Sequence, residues 1–245
     1  MRDELLGTTQ PVLSISLEPG ESIVAGPGGF SWMTDSILMS ASADGIGSST
    51  ALHHTLAQSS LPLSAYTARG VAGTIAFASR LPGSIVGIEV TPGTEYLIHR
   101  RGFLAGTPGI EVTTGYQQTY GNADGKGEQF MLRRVAGRGR AWIELSGDVV
   151  TRDLAAGSSL RTHPWHIGMF DASVAVQVAE LRGVHADDLG NEASRFAVLS
   201  GPGAVWLQSM SLLSSLPARP VALASASVPA PEGGAGAHHP SHGSQ

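Results

Sequence analysis

Residues 199–208 read LSGPGAVWLQ: a glycine pair, Gly201 and Gly203 with Pro202 between them, opens into a short apolar run ending in Trp206, Leu207 and Gln208. Proline presets a turn φ and glycine reaches backbone conformations closed to other residues, so the stretch reads as a tight turn feeding a strand. The same device recurs in VAGRGRAWIEL at 135–145 and in RGVAGTIAFAS at 69–79. The later glycines of the three turns are Gly73, Gly139 and Gly203, separated by 66 and 64 residues. A motif that returns at near-constant spacing speaks to architecture first, as a structural corner rather than a binding loop.

Three windows, each starting at a turn glycine, extend the pattern: GESIVAGPGGFSWMTDSILMS from Gly20, GTEYLIHRRGFLAGTPGIEVT from Gly93 and GSSLRTHPWHIGMFDASVAVQ from Gly157. Ten positions on, without a gap, stand Phe30, Phe103 and Ile167; seventeen positions on stand Ile37, Ile110 and Val174. The later turn glycine follows by 53, 46 and 46 residues, so the first unit carries about seven extra residues, placed in the 44–60 stretch. Order and spacing kept across three windows and three turns indicate internal triplication. A unit of about 60 residues is marginal alone, so three are expected to share a core. The expected boundaries are a lead-in at 1–11, repeats at about 12–84, 85–150 and 151–216, and a flexible Pro/Ala/Gly/His tail at 217–245, too poor in large apolar residues to offset its ordering entropy. Short helical turns are expected at 48–60 and 185–194, and Met210–Leu216 reads as a strand end or a short helix.

Composition agrees with an all-β chain. Charged residues are 14% of the 245, and glycine supplies 32 of them, roughly twice the usual share. The formal net charge of −5 argues against general nucleic-acid or anionic-membrane binding. The chain has no cysteine, which excludes disulfide frameworks, thiolate metal sites and cysteine nucleophiles. No secretory pattern opens the sequence and no run reaches the length of a membrane helix, so a cytoplasmic protein without a membrane span is expected.

Taken together, LEPGESIVAGPGGFSWM, GFLAG at 102–106, RVAGRGRAWIELSGDVVTRDLAAGSSL and GPGAVWLQS resemble the AIM24 family over about residues 12–211. The resemblance implies a fold of three β-sandwich-like repeats about a pseudo-threefold axis, similar to the trp RNA-binding attenuation protein. It implies no catalytic residue and no cofactor. The chain departs from the family where a Gly-Glu-Gly type segment is expected before each turn: GKGEQF stands at 125–130, and GNEASRF at 190–196 lacks the later glycine.

Chemistry-bearing residues are sparse. His163-Pro164-Trp165-His166 is the best metal candidate, with Asp171 and either His99 or His185 to complete a set. A cupin-like metal site ordinarily presents an HxH pair, which is absent, so a turn anchored by Trp165 is the preferred reading. His53-His54 and the tail histidines His238, His239 and His242 are read as solvated. Basic residues cluster at Arg100-Arg101, Arg133-Arg134, Arg138 and Arg140. Arg133, Arg138 and Arg140 are the anion-binding candidates, while Glu111, Glu128 and Glu144 are the expected ion-pair partners. Arg133 and Arg134, on one strand, should face opposite ways. Neither a G-x-S-x-G elbow nor a Walker loop occurs. Trp32, Trp142, Trp165 and Trp206 are expected to anchor the core of the repeats.

These readings converge on a non-enzymatic β-repeat scaffold or regulatory binding module without cofactor. Strand edges left open by such repeats favour a homo-oligomer or a protein partner over nucleic acid. The competing readings are a metal-dependent cupin-like protein using His163 and His166, and an RNA- or anion-binding protein using the Arg133–Arg140 cluster.

Overall fold

A computed structural model describes residues 1–40, 50–120, 128–180 and 195–210. The expected helical turn at 185–194, residues 211–216, the tail at 217–245 with its three histidines, His185, and most of the two departing family segments lie outside the described residues.

The described chain is almost wholly antiparallel β-structure. Strand β1 is Arg2–Leu6, so the expected lead-in is itself a strand, laid beside β2 with Leu6 opposite Val12. Next come β2 (Val12–Leu17), β3 (Ser22–Ala25), β4 (Phe30–Met33), β5 (Ile37–Ser40), β6 (Ser64–Ala68) and β7 (Gly73–Ala78). The one described α-helix, α1 (Thr50–Gln58), sits between β5 and β6, within the stretch assigned to the extra residues of the first unit. A second run holds β8 (Gly83–Val90), β9 (Tyr96–His99), β10 (Phe103–Gly106), β11 (Ile110–Tyr120), β12 (Glu128–Gly137) and β13 (Gly139–Ser146). A third holds β14 (Val149–Leu154), β15 (Ser159–Thr162), β16 (Ile167–Asp171), β17 (Ala175–Glu180), β18 (Arg195–Ser200) and β19 (Gly203–Gln208), with a 3-10 turn at Pro164–His166.

Pairing follows one scheme in each run. The first strand pairs with the sixth: β2 with β7, β8 with β13, β14 with β19. The third also pairs with the sixth: β4 with β7, β10 with β13, β16 with β19. The fifth lies between the second and the fourth: β6 between β3 and β5, β12 between β9 and β11, β18 between β15 and β17. Two pairings cross from one run to the next, β3 with β10 and β9 with β16. The resulting sheets have the orders β1-β2-β7-β4, β5-β6-β3-β10-β13-β8, β11-β12-β9-β16-β19-β14 and β15-β18-β17.

Local sequence explains the elements. Val12 to Leu17 alternates, and Leu13, Ile15 and Leu17 are wholly buried while the serines between them are not. The turn glycines Gly20, Gly93 and Gly157 have φ of 86°, 89° and 82°, a region that L side chains avoid. At the later turn glycines space is a constraint, joined at Gly139 and Gly203 by positive φ of 144° and 143°. A Cβ on Gly73 would lie 2.7 Å from Ile37 Cδ1, and one on Gly203 would lie 2.8 Å from Val174 Cγ2. The recurrent glycine and the recurrent β-branched residue are therefore packing partners, which is why the two marks travel together in the sequence.

Among the described residues three apolar clusters form the core. One joins β2, β3 and β7 to Leu104, Ala105 and Trp142; one runs through the middle from Val24 and Leu52 to Leu145 and Met169; one joins Leu97, Phe130 and Trp165 to Phe170 and Val205. Each large apolar side chain so buried contributes roughly 1.5–3 kcal/mol. Trp142 and Trp165 are buried and Trp206 is partly so, meeting Tyr96 edge-on at 6.3 Å. Trp32 departs from the expectation of a core anchor: it is 47% exposed, on β4, the outer strand of its sheet, which among the described residues has no neighbour on that side. No helix among the described residues is long and apolar enough to cross a membrane.

Candidate functional site

Where the first run of strands meets the second, loops and strand ends line an open cavity of about 400 Å³. Arg80 follows β7, Arg100 and Arg101 form the turn between β9 and β10, and Arg133 projects from β12; Pro27, Leu61, Phe103 and Met131 complete the lining. Among the described residues, then, the lining carries four guanidinium groups and no carboxylate.

The guanidinium groups are held in place. Glu144, on β13, accepts the backbone N–H of Arg80 at 3.0 Å through Oε2 and faces its side-chain Nε at 3.3 Å. Arg80 also donates through Nη1 to the Pro27 carbonyl at 3.3 Å and through Nη2 to the Arg101 carbonyl. Arg133 donates through Nε to the Arg100 carbonyl at 2.9 Å and through Nη1 to Ser60 Oγ at 3.2 Å. Burial, and then the neighbouring Arg100 charge, pull the Arg133 guanidinium below the ordinary arginine value. Like charges fixed around one cavity raise one another's energy, and an oxyanion among them relieves that repulsion. The planar guanidinium fork matches carboxylate and phosphate oxygens in particular.

His99 lies beneath this turn and is wholly buried. Its Nδ1 accepts the Arg101 backbone N–H at 3.4 Å, its ring meets Trp165 edge-on at 5.9 Å, and its Nε2 has no hydrogen-bond partner among the described residues. Burial, then the charges of Arg100, Arg101 and Arg80, push its pKa down to about 3. The imidazole is therefore neutral at physiological pH and adds nothing to the positive charge above it.

The structure divides the arginines singled out in sequence. Arg133 joins Arg80, Arg100 and Arg101 at the cavity, whereas Arg140 pairs with Asp3 at 2.8 Å and Glu89 at 3.6 Å and lies over the Trp142 ring at 5.3 Å. Arg138 is exposed on the turn between β12 and β13. Arg134, on the opposite face of β12 from Arg133, pairs with Glu95 at 2.6 Å. The ion-pair partners thus differ from those expected: Glu144 serves Arg80, and Glu111 faces His54 Nδ1 at 3.2 Å. Arg80 was missed in sequence because it stands alone after the Gly73 strand, and only the fold carries it to Arg100 and Arg133.

His163 and His166 flank the buried Trp165, their ring centroids 6.1 Å apart. His166 Nδ1 is 2.7 Å from the Gln208 carbonyl. Asp171 Oδ2 accepts the Ala204 backbone N–H at 2.8 Å, and His99 is committed beside Arg101, so neither joins the pair. Among the described residues no three His, Asp or Glu side chains stand close enough to hold a metal ion. Gln208, unexplained by apolar packing, accepts the Ser146 N–H at 3.1 Å and donates to the Trp165 carbonyl at 2.9 Å.

Such a molecule is an all-β protein of successive antiparallel sheets with an arginine-lined cavity at a junction between strand sets. A family model described as Mitochondrial biogenesis AIM24 matches residues 4–210, and the chain belongs to the AIM24 family. Among solved structures it is similar to the crystal structure of protein SPYM3_0169 from Streptococcus pyogenes. That likeness has a TM-score of 0.67 at 18% identity and covers 87% of this chain and 95% of that one. At that identity the likeness shows the fold. No match was found among curated proteins.

Proposed function

We propose that this protein is a non-catalytic binding module of the AIM24 family that holds an anionic group among Arg80, Arg100, Arg101 and Arg133. The observation that carries this reading is the concentration of four guanidinium groups around one cavity in a chain whose net charge is −5. A volume of about 400 Å³ suits a phosphate- or carboxylate-bearing small molecule. We also read the chain as three copies of one six-strand unit. Support comes from the common pairing scheme and from a shared irregularity, which falls between Phe30 and Trp32, between Phe103 and Ala105, and between Ile167 and Met169. In that reading the rigid repeats are the scaffold and the junction is the site.

The cupin-like reading through His163 and His166 draws support only from their closeness. An extended RNA surface through Arg133, Arg138 and Arg140 draws less, since Arg140 is already paired with carboxylates.

Thermal unfolding in chloride, phosphate and pyrophosphate at equal ionic strength tests the anion site. An anion that binds only the folded chain raises its midpoint, by a stabilisation that grows with the logarithm of its concentration above Kd. The expected rise is lost in an Arg101→Ala, Arg133→Gln variant. An equal rise in that variant, or no rise with either anion, overturns the reading.

A further inference from the structure

The four guanidinium groups at the cavity are not alike. Arg80 is matched within the fold: Glu144 meets its Nε at 3.3 Å, and its Nη1 and Nη2 donate to the Pro27 and Arg101 carbonyls. Among the described residues Arg101 and Arg133 pair with no carboxylate, the arginine ion pairs there being those of Arg80, Arg134 and Arg140. Arg133 Nη2 takes no part in the bonds that Nε and Nη1 make to Arg100 and Ser60. The Arg101 side chain is exposed, on a backbone held at its N–H by His99 Nδ1 and at its carbonyl by Arg80. Two guanidinium charges therefore stand unmatched on anchored supports, which leaves a ligand little ordering to impose.

The fold does not require these charges. Counted from the turn glycines, Arg80 stands seven after Gly73 and Ser146 seven after Gly139. Arg100 and Arg101 stand seven and eight after Gly93, as Pro164 and Trp165 do after Gly157; Arg133 stands six before Gly139, as Ala197 does before Gly203. Where the second run meets the third, β9 pairs with β16 as β3 does with β10, with no guanidinium at any of these places. Ser146, Pro164, Trp165 and Ala197 are all buried, whereas Arg80, Arg100 and Arg133 are part-exposed and Arg101 is exposed. Four arginines where a like junction packs Ser, Pro, Trp and Ala point to something outside the chain. The rest of the lining is apolar, and of it Leu61 and Met131 are partly exposed, so apolar surface remains for a ligand to cover.

Resting on the anion-site reading above, we propose that the ligand is an organic phosphomonoester, its terminal phosphate dianion held by Arg101 and Arg133 and a small apolar body laid against Leu61 and Met131. Two unmatched cations call for two negative charges on one group. A phosphodiester or a carboxylate brings one and leaves the second guanidinium unmatched beside its neighbours. The terminal phosphate also presents three oxygens, enough to accept from two planar forks at once. A bare phosphate would meet the arginines and leave Leu61 and Met131 against water.

Titration calorimetry on the wild-type chain tests this at about pH 8, where a phosphomonoester, with a second pKa of about 6, is a dianion. Phenyl phosphate, methyl phenyl phosphate and benzoate keep the ring and vary the charge; inorganic phosphate keeps the charge and lacks the ring. Phenyl phosphate is expected to bind about tenfold more tightly than each of the other three. Arg101→Gln should remove most of its margin over methyl phenyl phosphate. Met131→Ala should weaken phenyl phosphate and leave inorganic phosphate unchanged. The comparison of the four ligands needs neither variant to fold. Binding by none of the four removes the anion site itself, and this assignment with it. Inorganic phosphate that binds and needs Arg101, while methyl phenyl phosphate or benzoate binds as tightly as phenyl phosphate, overturns the phosphomonoester alone. So does phenyl phosphate that binds no more tightly than inorganic phosphate.

Discussion

Glu144 grips Arg80 twice, taking its backbone N–H at 3.0 Å and its guanidinium Nε at 3.3 Å. One junction further along, Gln208 takes the backbone N–H of Ser146 at 3.1 Å and donates its own amide to the Trp165 carbonyl at 2.9 Å. Glu144 and Gln208 each stand five residues after a turn glycine, Gly139 and Gly203. At the second junction a neutral amide both accepts and donates. At the first a carboxylate accepts, and the Arg80 side chain donates to the Arg101 carbonyl in its place. The exchange of Gln for a Glu–Arg pair is what puts a guanidinium at the first junction.

Glu144→Ala should therefore destabilise the fold by about 2–3 kcal/mol, since it strands both a backbone N–H and a half-buried guanidinium among three other arginines. Glu144→Gln, which keeps an acceptor for the N–H, should cost about half as much. Urea unfolding measures both; equal costs for the two variants would show that the carboxylate charge, which both remove, carries the whole effect and a neutral acceptor none of it.

Gln208→Ala removes a buried amide that satisfies one donor and one acceptor. Leaving the Ser146 N–H and the Trp165 carbonyl without it should cost about 2 kcal/mol or more. Gln208→Glu should cost at least as much, because a buried carboxylate keeps the Ser146 contact but cannot donate to the Trp165 carbonyl. A loss under half a kcal/mol in urea unfolding would mean that water replaces both bonds.

The corners of the fold are legible in sequence because they depend on the chain itself. Gly20, Gly93 and Gly157 need a positive φ, and Gly73 and Gly203 need room beside Ile37 and Val174, so spacing alone reveals them. The cavity depends on contacts across long separations. Arg80 is 20 residues from Arg100 and 53 from Arg133, and no periodicity links them. Arg133 and Arg140 look like neighbours in sequence, yet one turns to the cavity and the other to Asp3 and Glu89. Trp32 fails for a related reason. Its place in the window is the place of buried Ala105 and Met169, but those lie on strands with a neighbour on each side, and among the described residues β4 has one neighbour only.

Two glycines differ in the room beside them. Gly157 has φ of 82° with nothing within 4 Å of an added Cβ, whereas Gly203 has φ of 143° and would bring a Cβ within 2.7 Å of Ser173 Oγ and 2.8 Å of Val174 Cγ2. Gly157→Ala should cost only the left-handed backbone penalty, about 1–2 kcal/mol. Gly203→Ala should cost at least about 2 kcal/mol more, because its φ is also closed to alanine and the crowded turn must shift as well. Equal midpoints in urea for the two variants would remove close packing as the reason for the recurrent glycine.

His99 gives the fold a pH dependence of definite sign. The unfolded chain binds a proton at this imidazole near pH 6.5, while the folded chain, burying it below three arginine charges, does so only near pH 3. Between those values the unfolded state holds the extra proton, so its free energy falls relative to the folded state as pH drops. The stabilisation is complete above about pH 6.5 and is lost by about 1.4 kcal/mol per pH unit on the way down. His99→Leu, apolar and non-titrating, removes this dependence while leaving the carboxylates and the other histidines in place. Unfolding free energies of the two proteins should run parallel above pH 7 and converge or cross as pH falls, the wild type losing stability faster. Curves that stay parallel down to pH 4 would mean that the His99 ring is reached by water or finds a partner that accepts its second proton.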